Sequence, residues 1–230
     1  MIRQILSPAL KLWLHSQVEQ VKELNLIITG GDRQILSGYV PQVNLATSYA
    51  VYQGLHLGKI QLQGENIRIN LGQVLKGKPL RLLEPIFVTG QILLHEAQLQ
   101  ASLTAPLLSG ALTELISQVL VPSSEGMSIT IDESSVINWD QVTIDTDKLT
   151  LQGSLIKGNQ SITSLVVSAG LSLSNGSLLK LDPLTIAGLS ADSDLSLDPL
   201  VIDLGSDVAF NTLSLTKGEL LLAGEIKINP

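Results

Sequence analysis

The stretch Pro106 to Leu120, PLLSGALTELISQVL, restricts the possible folds more than any other part of the chain. Leu107, Leu108, Ala111, Leu112, Leu115, Ile116, Val119 and Leu120 are apolar, while the pairs between them, Ser109/Gly110, Thr113/Glu114 and Ser117/Gln118, are small or polar. Two-on, two-off spacing lays one apolar stripe along a helix. Pro106 suits a first helical turn, where a missing N–H costs nothing, and Val121-Pro122 followed by two serines stops the helix. Nearly everything else alternates at period two, which is strand grammar. A helix this apolar must lie on a sheet. The expected fold is therefore α+β, a strongly curved antiparallel sheet wrapped around amphipathic helices, with a β-rich C-terminal half.

The curvature is expected from glycine. LIITG, RQILSG, YVPQVNLATSYAVY, LHLGKIQLQG and ENIRINLG read as strands punctuated by Gly30-Gly31, Gly38, Gly54, Gly58 and Gly64, and glycine within strands allows bulges and coiling. Ahead of them, residues 1–24 carry Ile2, Ile5/Leu6, Ala9/Leu10, Trp13/Leu14, Val18, Val21 and Leu24 at spacings of three and four, an amphipathic helix. Such a helix either closes one end of a core or also meets a bilayer, with Trp13 and Lys11 at the interface. Residues 86–105 lead through IFVTGQILLHE, a strand from Ile86 to Leu94, and a short helical turn at His95–Leu99 into the Pro106 helix.

VPSSEG (121–126) marks the best internal boundary, so the chain is expected to be one domain of 230 residues with a helix/sheet/helix part at 1–120 and an all-β part at 121–230. Net charge separates the two. The first part carries nine Lys/Arg against seven Asp/Glu, the second five against fourteen. In the second part, Asn175-Gly176 between alternating runs predicts a hairpin. LKLDPLTI around Asp182-Pro183 returns as LSLDPLVI around Asp198-Pro199, which predicts proline at equivalent edge or bulge positions.

Composition limits function. Leucine occupies 45 of 230 positions while aromatics make up 3%, so the interior is aliphatic; there is no cysteine, which excludes disulfides and thiolate metal sites. An acidic chain with few aromatics is not a nucleic-acid binder, which needs a basic groove with stacking platforms. No run of roughly 20 apolar residues reads as a membrane span. Lys11 interrupts the N-terminal apolar run and no small-residue cleavage site follows, so a cytoplasmic chain or one peripheral to a membrane is expected rather than one exported by the general secretory route.

Three motifs come close to chemistry and miss. Gly72 to Lys78 follows the phosphate-loop pattern, but Pro79 replaces the hydroxyl residue and has no N–H for the cradle. His95-Glu96 opens the zinc-protease pattern, but Leu99 stands where the second histidine belongs. Asp192, Asp194 and Asp198 lack the turn glycine and terminal glutamate of a calcium loop. No Gly-x-Ser-x-Gly elbow occurs. The reading is a protein that is not an enzyme and has no cofactor or metal.

SQVEQVKELNL (16–26), ILSGYVPQVNLATSYAVYQGLHLGKIQLQGENIRINLGQVLKGKPLRLLEPI (35–86) and LLHEAQLQASLTAPLL (93–108) resemble the LmeA-like phospholipid-binding family. The resemblance covers residues 1–120 and implies phospholipid or another acyl lipid as ligand, with an architecture similar to tubular lipid-binding proteins. The expected acyl groove lies between the Pro106 helix and the sheet, lined by Leu107, Leu108, Leu112, Leu115, Ile116 and Val119. Lys76, Lys78 and Arg81 stand among Leu75, Leu80, Leu82 and Leu83, so with Trp13 they are the candidate contacts to a membrane surface and lipid headgroups; the alternative for this loop is a solvated turn. A structural or protein-interaction module without ligand is the competing function, and the oligomeric state is left open.

Overall fold

The period-two segments form antiparallel sheet, and each long apolar helix lies on one sheet. The structure, a computed structural model, describes residues 3–120, 135–157, 160–188 and 194–230. In chain order the elements are α1 (Arg3–Gln17), β1 (Gln20–Lys22), β2 (Asn25–Thr29), α2 (Asp32–Leu36), β3 (Tyr39–Thr47), β4 (Tyr49–Tyr52), β5 (Leu55–Leu57), β6 (Lys59–Arg68), α3 (Leu71–Val74), β7 (Ile86–His95), α4 (Glu96–Ser102) and α5 (Pro106–Leu120). There follow β8 (Ser135–Asp145), β9 (Lys148–Lys157), β10 (Gln160–Asn175), β11 (Leu178–Ala187), β12 (Leu195–Leu197), β13 (Leu200–Asp203), β14 (Val208–Thr216) and β15 (Glu219–Ile228).

Two large sheets result, both antiparallel, and both curl without closing. The first runs β14-β15-β7-β6-β3-β2, and the second β12-β11-β10-β9-β8, with β13 also on β11; β1, β4 and β5 form a small third sheet. The closing hairpin β14–β15 returns to the first sheet, where β15 pairs with β7 along its whole length. Each large sheet has its own aliphatic core. Leu6 and Ile35 pack with Ile28, Val40, Ile67, Ile69, Leu71, Leu80 and Ile86 on the first sheet. Ile116 packs with Ile137, Trp139, Leu155, Leu165, Leu184 and Ile186 on the second.

The helix α4 joins the halves. It begins where β7 ends, and its side chains satisfy the outer edge of β8 as a neighbouring strand would. The Gln100 amide donates to the Asp140 carbonyl (2.7 Å) and accepts from the Val142 N–H (2.9 Å), and Glu96 accepts from the Ile144 N–H (2.8 Å). Backbone bonds between the β8–β9 and β14–β15 turns continue the junction, from Gly218 N–H to Ile144 O (2.8 Å) and from Asp147 N–H to Leu215 O (3.2 Å).

Two local expectations are corrected. The N-terminal helix stops at Gln17 rather than Leu24, because Val18 and Val21 fit a strand as well as a helix and Gln20–Lys22 find a partner in β4. RQILSG, read as a strand, is the helix α2: Gln34 reaches back to accept from the Gly31 N–H (2.9 Å), and Gly38, at φ +82°, ends the turn. The Asn175 hairpin forms as its sequence predicts, with the Asn175 side-chain oxygen accepting from the N–H groups of Ser177 and Leu178 (both 3.0 Å). The two Asp-Pro steps lie opposite one another: β11 is covered by β13 over Leu178–Leu181 and by β12 over Leu184–Ile186, with no ladder at Asp182-Pro183. The boundary expected at 121–126 and Asp192 lie outside the described residues.

Candidate functional site

Neither α1 nor α5 fills the interface it makes with its sheet. Beneath α1 an apolar cavity of about 140 Å³ is bounded by Leu10, Trp13 and Leu14 of the helix and by Val43, Gly64, Ile67 and Val88 of the sheet. Gly64 contributes no side chain to this wall, and a Cβ built there would meet Ile67 Cδ1 at 3.2 Å and Val88 Cγ2 at 3.7 Å. Beneath α5 a second apolar cavity, of about 230 Å³, lies between Ala111, Leu112, Leu115 and Ile116 and the second sheet, where Trp139, Leu151 and Val167 form the floor. Each of the chain's two tryptophans therefore stands at one cavity.

Close packing is the default for aliphatic interiors, and both hollows are partly open to solvent and walled almost entirely by apolar side chains.

The residues singled out from sequence fall into two places. Of the expected acyl groove, Leu112, Leu115 and Ile116 line the cavity under α5; Leu108 and Val119 pack partly buried against the same core, and Leu107 is about half exposed at the helix start. Trp13 and the basic loop come together elsewhere, at the cavity under α1, whose wall includes Leu80 and Leu82 from the loop itself. Lys76, Lys78 and Arg81 are exposed around it, with Leu75 and Leu83 each more than half exposed beside them. The loop is held at its neck by Asn70, only 8% exposed, which donates to the Pro79 carbonyl (2.9 Å) and accepts from the Arg81 N–H (2.8 Å). Leu12, on α1 next to Trp13, is 75% exposed.

Sequence reasoning missed the cavity under α1 and the place of Trp139 at the cavity under α5. The signal for the first was Gly64, a gap in an otherwise alternating strand. Trp139 sits at the outer strand of the second sheet, 6% exposed, and its indole nitrogen has no hydrogen-bond partner, the one such buried side-chain atom among the described residues. The near-miss histidine, His95, lies 3.3 Å from Glu219 on the surface, and no cluster of residues able to hold a metal occurs among the described residues. No helix among them is long and apolar enough to cross a membrane.

A family model described as LmeA-like phospholipid-binding matches residues 1–225, extending through the acidic half beyond the segments that carry the resemblance in sequence. No curated protein and no solved structure matches the chain.

Proposed function

The chain belongs to the LmeA-like phospholipid-binding family, and from that premise we propose that it binds phospholipid without catalysis, docks peripherally on a membrane and takes acyl chains beneath its two long helices. The observation that carries this reading is the pairing of an apolar cavity with a basic, leucine-flanked loop at α1. The α5 cavity, with Leu112, Leu115 and Ile116 on its wall and Leu107, Leu108 and Val119 along the same helix, is the second acyl site in this reading.

Energetics favour docking over capture from water. Moving a chain of about sixteen carbons from water into an apolar site is worth on the order of 13 kcal/mol, at about 0.8 per methylene. Moving it from a bilayer gains almost none of that. A carrier therefore exchanges lipid while seated on the membrane, which requires a surface that seats it. Lys76, Lys78 and Arg81 supply attraction to anionic headgroups at about 1 kcal/mol each, and Leu12, Leu75 and Leu83 supply exposed apolar side chains nearby.

The test is the triple variant Lys76→Glu, Lys78→Glu and Arg81→Glu in sedimentation with vesicles containing anionic phospholipid. Loss of three favourable contacts weakens binding by about a hundredfold, while neutral vesicles show little change. Normal binding of the variant to anionic vesicles would remove the basic loop from the mechanism. A clean apo mass after incubation with mixed vesicles, read by native mass spectrometry, would transfer the argument to a ligand-free interaction module.

A further inference from the structure

We infer that the two cavities take different lipids: the acidic surroundings of the α5 cavity select an uncharged acyl lipid of the glyceride class, while anionic phospholipid is held at α1. The inference rests on the reading of the α5 cavity as an acyl site. It adds which headgroup that site accepts.

Two apolar cavities attract hydrocarbon alike, so the charge around them decides which headgroup each tolerates. At α1 the wall includes Leu80 and Leu82, from the same loop as Lys76, Lys78 and Arg81. The next acid along the chain, Glu84, lies 3.4 Å from Arg68, so the loop keeps its positive charge.

The α5 cavity is built the other way. Every residue on its wall is aliphatic except Trp139, and α5 carries one charged residue in fifteen, Glu114. Ala111 lines the cavity and is itself exposed, so it stands at the rim, with Glu114 its neighbour one turn along the helix. An open cleft adjoins the cavity at Trp139, which lines both, and the charged residues of this cleft are Glu114 and Asp140. The lysines next in chain to the wall are matched by acids. Lys180, between the wall residues Leu179 and Leu181, binds Asp182 (2.6 Å). Lys148, before Leu149, is paired in register with Asp145 and has Asp147 beside it in the β8–β9 turn. The β14–β15 turn that meets this one adds Lys217 and Glu219, so acids still outnumber lysines there.

Hydrogen bonding runs in the same direction as charge. The hydroxyls of Ser109, Thr113 and Ser117, which line the cleft, each donate to the backbone carbonyl four residues earlier (3.0, 2.8 and 2.8 Å). Their lone pairs are what remains, beside the carboxylates of Glu114 and Asp140. An ionised phosphodiester has no proton to give these acceptors and is repelled by the carboxylates. The free hydroxyl of a glyceride donates to such groups and carries no charge.

The full chain, labelled with ¹⁵N, is titrated with two monomeric probes that share their acyl chains and differ in headgroup: dihexanoyl glycerol and dihexanoyl phosphatidylglycerol. The chain's two indole N–H signals report one cavity each, and Trp139→Phe assigns them. The Trp139 signal is expected to titrate about tenfold more tightly with the glyceride, and the Trp13 signal about tenfold more tightly with the phosphatidylglycerol. Glu114→Lys, which places a cation at the rim, should bring the two probes within about twofold at Trp139 and leave the Trp13 preference unchanged. Equal or tighter binding of phosphatidylglycerol at Trp139 in the wild type overturns the selection while leaving the cavity as a lipid site. An undiminished preference in Glu114→Lys also overturns it, because headgroup size rather than charge then discriminates. Movement of the Trp13 signal alone overturns it by placing all the lipid at α1. If neither signal moves the inference fails, and equilibrium dialysis then separates a chain that binds no probe, for which the lipid-binding reading fails too, from one that binds it elsewhere.

Discussion

Gly64→Val separates a ligand cavity from a packing defect, because the two give opposite pairs of signs. Position 64 lies in β6 opposite Val43 and Val88, and its missing side chain is part of the cavity wall under α1. Valine adds three carbons, worth about 2.4 kcal/mol at 0.8 each. Against this stands displacement of Ile67 Cδ1, which lies 3.2 Å from the new Cβ. That end of a flexible side chain can shift at about 1 kcal/mol. The variant should therefore gain about 1.5 kcal/mol in urea unfolding. The same three carbons exclude roughly three methylenes of any acyl chain entering there, so affinity for a short monomeric phospholipid should fall by about fiftyfold. Trp13 borders this cavity and Trp139 the other, so quenching by a lipid with brominated chains in a Trp139→Phe background reads the α1 site alone. Greater stability with unchanged quenching would show that the void is not a lipid site. Lower stability by more than about 1 kcal/mol would show that the wall cannot accept a side chain and that the volume argument is wrong.

Two further substitutions probe the proposed docking surface and the junction. Leu12→Ser removes an apolar side chain that is 75% exposed, so it should leave urea unfolding within about 0.5 kcal/mol of wild type and weaken vesicle binding by about tenfold; unchanged partitioning would exclude α1 from the docking surface. Gln100→Ala strands the Val142 N–H at a residue only 2% exposed and removes the donor to the Asp140 carbonyl, at a cost of about 2 kcal/mol in chemical denaturation. A loss below about 0.5 kcal/mol would mean the amide pairing is incidental.

The parts of the fold that were legible in sequence are those where local pattern and tertiary packing agree. The stripe from Pro106 to Leu120 is a helix over the expected residues, and Asn175-Gly176 is a turn because the asparagine side chain closes it locally. Where two periods fit equally, the chain followed its neighbours: Val21 continues the helical spacing of Val18 but is drawn into pairing with β4. The return of β14–β15 to the first sheet depends on a partner more than a hundred residues earlier in the chain, and no local signal encodes it. The basic loop was visible as composition. Its placement beside α1 rather than α5 depends on Asn70 holding both ends of the loop over Leu71 and Leu80, which only the folded chain reveals.

The facing Asp-Pro steps bear on how the second half of the chain finds its proper alignment. Residues 165–203 are built largely from leucine and serine in alternation, and such strands can slide past one another by two residues while keeping every leucine on the core side. Hydrophobicity alone therefore does not distinguish the native alignment from its neighbours. A proline cannot donate to a ladder, so each Asp-Pro marks a position where no rung can form. In the native pairing the two marks coincide, between Leu181 opposite Leu200 and Leu184 opposite Leu197, and Gly170 on β10 makes room at the same level. A slip by two residues would separate them and forfeit rungs at two levels instead of one. The repeat thus acts as an index, confining a low-information sequence to one alignment.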